Sequence, residues 1–202
     1  MMFDIIIILL VGILLLFAVY TAIQFRGKYP KRTIEDVAPF LRPAEHDELE
    51  SLLDPAQETN FRIRMAPQEF TEWQRRRIHL LREYLLRMSH NALVLIEWGN
   101  MEAIEPGNDD AETLRQKQLL AKELVQAATE FRLYSVLALA KLKLWLILPS
   151  PFSLLLPSPS LPTMRHVFGI DALDSYHRLR TAAGGLSLAY SRHFYDELLE
   201  RL

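Results

Sequence analysis

The sequence predicts an all-α protein: a single N-terminal transmembrane helix followed by a bundle of three long helices plus one short helix. Three observations carry this. Residues 5–23 read IIIILLVGILLLFAVYTAI, without a charge. Further on, apolar residues recur at intervals of three and four over three long stretches, the period of a helix face. The chain has only seven glycines, which argues against a loop-rich sheet protein.

The apolar run holds nineteen residues, about 28 Å of helix at about 1.5 Å per residue. That matches a hydrocarbon core of about 30 Å. The β-branched run at 5–8 is a poor helix in water, but in lipid the backbone has no other partner. A cleaved signal peptide would start with a basic region and end at a small-residue site. Here Asp4 is the only charged side chain before the run, and no small-x-small site ends it. The other flank carries Arg26, Lys28, Lys31 and Arg32. By the positive-inside rule the N-terminus lies outside and the C-terminal domain is cytoplasmic, in a plasma or bacterial inner membrane. The expected organisation is an anchor with basic flank at 1–32, an acidic linker with a short helix at 33–66, and a helical bundle at 67–202.

The chain has no cysteine, which excludes disulfides, thiolate metal sites and cysteine nucleophiles. Net charge is −2, but it is laid out in blocks: −7 over residues 33–58, +4 over 62–87, −6 over 97–112 and +4 over 115–143. Blocks of alternating sign suggest segments that fold back on one another. No single basic face emerges of the kind nucleic acid requires.

The short helix is expected near 43–53, started by Pro43 and closed by Pro55. Its Glu45-His46-Asp47-Glu48 run is not a metal site, because neighbouring residues diverge around a helix. The first long helix runs over 67–98, with Phe70, Trp73, Leu81, Leu85, Met88 and Leu95 on its apolar face and Gly99-Asn100 as its stop. Arginines and glutamates on the other face read as solvated or internally paired. The second runs over 111–148 after a cap at Asp109 or Asp110. From residue 133 its polar face thins. A second full span is rejected, since the stretch is short, carries Lys141 and Lys143, and meets prolines at once. Residues 133–156 are therefore either core or a membrane-surface segment, with Lys141, Lys143, Trp145 and Phe152 as the membrane-contact candidates. The third long helix is read as continuous over 172–201, because its apolar spacing keeps phase across Gly184-Gly185; the rival is a helical hairpin turning at those glycines. Gly184 and Gly185 are the helix-packing candidates.

No catalytic motif is found: no Glu-x-x-His pair, His-Glu-x-x-His, Gly-x-Ser-x-Gly or phosphate-binding glycine loop. No cofactor is implied. Tyr176, His177, Tyr190 and His193 are the residues to inspect for a small-molecule site. The leading expectation is a membrane-anchored interaction or scaffolding module that contacts the lipid bilayer, has a possible protein partner and does not bind nucleic acid. The alternatives are a lipid or apolar-ligand binding module using residues 133–156, and an enzyme with a site near Gly184-Gly185.

Overall fold

The computed structural model describes residues 34–44, 46–104, 110–147 and 170–202. Every regular element among them is helical: α1 (Ile34–Phe40), α2 (His46–Leu53), α3 (Pro55–Arg64), α4 (Pro67–Ile104), α5 (Ala111–Ile147), α6 (Ile170–Leu188) and α7 (Arg192–Arg201). They belong to one compact unit, Arg32–Leu202, distinct from Met1–Lys31. The apolar run at 5–23, its basic flank, the loop at 105–109 and the proline-serine segment at 149–162 lie outside the described residues. No helix among the described residues is long and apolar enough to cross a membrane.

The region expected as a linker with one short helix holds three. Pro55 does not close α2; it opens α3. Asp54 is the cap, its side chain accepting from the Ala56 N–H at 2.8 Å. Proline at the first helical position loses no bond, since that N–H has no intrahelical acceptor.

α4 continues through the expected stop at Gly99 to Ile104. A Cβ on Gly99 would lie 2.8 Å from Val125 Cγ2 and 3.1 Å from the Ala121 carbonyl oxygen. The glycine therefore serves close approach of α5 rather than termination. α5 begins as expected, with Asp110 Oδ2 accepting from the Thr113 N–H at 3.4 Å. Hydrogen bonds from Thr113 hold the Asp110 carboxyl below its ordinary range.

The continuous helix expected over 172–201 is not formed. α6 ends at Leu188, and Tyr190 and Ser191 donate their N–H groups to the Ser187 carbonyl at 3.0 and 3.2 Å. Ser191 then caps α7, accepting from the Phe194 N–H at 3.1 Å. A hairpin forms, but its turn lies beyond the glycines, which stay helical. Phase was a poor guide because α6 and α7 each bury their own side: Leu186 on one and Leu198 on the other are fully buried.

α5 is central. α4 and α6 pack along it, α7 folds back on α6, and α1–α3 lie on α4. The core is the shared seam of Leu81, Leu85 and Met88 from α4, Leu124 and Phe131 from α5, and Leu179 from α6, all out of solvent. Each such side chain contributes about 1.5–3 kcal/mol by leaving water.

Candidate functional site

Four residues of α4 at sevenfold spacing, Arg77, Tyr84, Asn91 and Trp98, form a polar seam that fixes the other helices. Two turns of helix nearly repeat after seven residues, so the four share one side. Arg77 Nη1 lies 3.1 Å from Glu58 Oε2 on α3. Its Nη2 donates to the Asp54 carbonyl at 3.3 Å, and its Nε donates to the Leu52 carbonyl. Gln74 donates to the other Glu58 oxygen at 3.3 Å. Burial pulls the Arg77 guanidinium below its usual range, against the opposing pull of Glu58 and Asp54. Tyr84 donates to Glu48 on α2. Asn91, fully buried, donates to the Arg42 carbonyl and accepts from the Arg42 N–H, both at 2.8 Å. Trp98 donates to Glu102 at 2.9 Å and meets the Phe194 ring edge-on at 5.7 Å. Every member of the seam is engaged with the fold, so its role is structural. In the sequence the arginines of this helix read collectively as a face, which hides Arg77.

Tyr176, His177, Tyr190 and His193 do not come together. Tyr176 is buried, donates to the Leu202 oxygen and packs on Phe131 at 5.1 Å. Burial pushes its phenol up to about 12, against Asn91 and Arg180, which favour ionisation. Tyr190 donates to Glu102 on α4, beneath the Lys117 ammonium at 4.2 Å. His193 is exposed on α7.

His177 instead lines an open groove of about 460 Å³ between α6 and α7, with Arg180, Thr181, Gly184, Gly185, Leu188, Tyr195 and Leu199. The lining contains no carboxylate. The Thr181 hydroxyl is spent on the His177 carbonyl at 3.0 Å. General acid–base work needs a partnered acid and base within reach of one substrate; the described lining offers the His177 imidazole and no carboxylate. The two glycines differ. A Cβ on Gly184 would lie 2.9 Å from Tyr195 Cε2, whereas one on Gly185 would meet only Leu120, at 3.6 Å.

Register relates the exposed apolar groups. Gly99 against Ala121 and Val125 sets α4 antiparallel to α5. Gly185 against Leu120, with Arg178 paired to Glu130 at 3.0 Å, sets α5 antiparallel to α6. Ile104, Leu119 and Leu188 therefore lie at one end of the bundle, 73%, 59% and 57% exposed. Towards the other end, α5 has two faces. Ser135, Ala138 and Leu142 are buried, while Leu133 and Leu137 are 49% and 47% exposed and Lys141 and Lys143 stand in solvent. Part of this stretch is thus core and part is surface. The Trp145 side chain and Phe152 lie outside what the structure describes. No group of three metal-ligating side chains occurs among the described residues.

No protein-family model, curated protein or solved structure matches the chain.

Proposed function

We propose that the protein is a single-pass, membrane-anchored interaction or scaffolding module, with residues 5–23 spanning the bilayer, the N-terminus outside and the helical bundle in the cytoplasm. The observation that carries the interaction role is the apolar end of the bundle. Ile104, Leu119 and Leu188 come from three helices at that end and each remains in water. Leaving such side chains exposed forgoes about 1.5–3 kcal/mol each, and apolar surface left exposed at one end of the bundle offers a place for a partner to cover. The polar seam of α4 supports the same reading, since it ties α1, α2, α3 and α7 to the helix that carries Ile104. A photo-crosslinking residue at Leu119 or Leu188, in the full chain in its native membrane, is expected to give a discrete protein adduct. Absence of any protein adduct from both positions would refute the interaction role.

A second reading, lipid binding through residues 133–156, is favoured by the exposure of Leu133, Leu137, Lys141 and Lys143 on one helix.

A further inference from the structure

We infer that the side of the α4–α5 hairpin turned away from the other helices docks on an anionic lipid surface. This deepens the proposed function and rests on the reading of residues 5–23 as an anchor.

The argument starts from α4. Successive residues turn by about 100°. Gly99, Ala92, Leu85, Leu81 and Ile78 share the side that meets α5, and all are buried. To one side of this stripe runs the seam of Arg77, Tyr84, Asn91 and Trp98, which holds α1, α2, α3 and α7. To the other side lie Arg75, Arg82 and Leu86, all exposed. On α5, Phe131 turns towards α6, where it meets Tyr176, while Leu133 and Ala140 turn the opposite way and Leu137 follows them. In an antiparallel pair these two free flanks fall on the same side. The α4–α5 register places Leu86 level with Val136 and Leu137, and Arg82 level with Ala140 and Lys141.

The result is one surface across two helices. Leu86, Leu133 and Leu137 form its apolar part, and Arg75, Arg82, Lys141 and Lys143 surround its end. All seven are exposed. The exposed carboxylates of this part of α4, Glu69, Glu72 and Glu83, sit further round the helix, and Glu83 is paired with Arg87 at 2.6 Å. Leucines bordered by cations match the two layers of a lipid interface: acyl chains beneath phosphates. The long basic side chains reach the headgroups while their stems cover apolar surface. A protein partner would have to supply carboxylates around an apolar patch of matching shape. An anionic bilayer supplies both without specific shape, and an anchor in the same chain raises its effective concentration.

The chain lacks cysteine, so Leu137→Cys and Leu188→Cys in the full chain each accept one spin label. Both are reconstituted in vesicles of phosphatidylcholine alone and of phosphatidylcholine with phosphatidylserine. The label at 137 is expected to gain oxygen collisions and lose those with a water-soluble nickel chelate when phosphatidylserine is present, and to revert in high salt. The label at 188 is expected to stay aqueous. Lys141→Glu with Lys143→Glu lowers the docked-to-free ratio roughly fivefold or more for each cation removed. Arg75→Glu with Arg82→Glu on the other helix is expected to do the same. A label at 137 that stays in water in both lipids, or whose shielding ignores all four reversals, overturns the proposal. Shielding in native membranes but not in vesicles also overturns it, in favour of a protein partner. Flotation with phosphatidylcholine vesicles reads the anchor separately. A chain that floats with position 137 in water contradicts docking alone, and one that fails to float contradicts the anchor alone.

Discussion

Arg77 Nη1 sits 3.1 Å from Glu58 Oε2, and the two side chains are only 3% and 6% exposed. The pair joins the acidic block of the sequence to the basic block that follows it. Removing one partner strands a buried charge, so Arg77→Met or Glu58→Leu alone is expected to cost about 3–5 kcal/mol. Arg77→Met with Glu58→Leu is expected to recover most of that loss. Chemical denaturation of the four chains closes the cycle; additive single effects would show that the pair is not coupled.

Asn91 carries the second tie. Its amide replaces the backbone partner that Arg42 would find in a sheet or helix. Asn91→Leu leaves two polar groups without that partner and is expected to cost about 1–3 kcal/mol for each one left unsatisfied. Hydrogen exchange at the Arg42 amide should accelerate far more than at Leu124. Equal acceleration at both would show a global effect instead.

Gly184 and Gly185 are expected to respond in opposite senses. Gly185→Ala meets only Leu120 and gains helix propensity, so stability should rise by up to about 1 kcal/mol. Gly184→Ala pushes on the Tyr195 ring, and overpacking of that kind costs about 1–3 kcal/mol. Tyr195→Ala should make the Gly184→Ala step less costly. Thermal unfolding of the single and double variants measures both effects.

Tyr176 makes stability fall at high pH. Its phenol ionises near 10 when unfolded and is pushed up to about 12 in the fold. The stabilisation is therefore whole below pH 10 and lost as pH rises through the folded value. Tyr176→Phe should flatten the stability profile between those limits. An unchanged slope in that variant would assign the loss to other groups.

The fold was legible where one period dominates. The apolar spacing of α4 and α5 gave two long helices because their buried faces outweigh every local signal. Local signals misled where packing overrode them. Gly99 resembled a stop, yet its cost of about 1 kcal/mol against alanine is offset by close contact with Val125. Pro55 is ambiguous alone, and only Asp54 before it marks a start. Ser191 signalled the break after α6, but unbroken phase concealed it. The seam stayed hidden because Arg77 and Asn91 are polar, and polar residues on a long helix are usually solvated. The free flank of the hairpin was half legible: Lys141 and Lys143 stood out, whereas Arg75, Arg82 and Leu86 join them only through the α4–α5 register.

The central claim is an anchored chain with its bundle on the cytoplasmic side. The most direct measurement is alkaline carbonate extraction combined with protease access to a tag after Leu202, in intact cells and in inside-out vesicles. The account predicts that the chain stays with the membrane pellet and that the tag is digested only in inside-out vesicles. Release by carbonate, or digestion of the tag on intact cells, would contradict it.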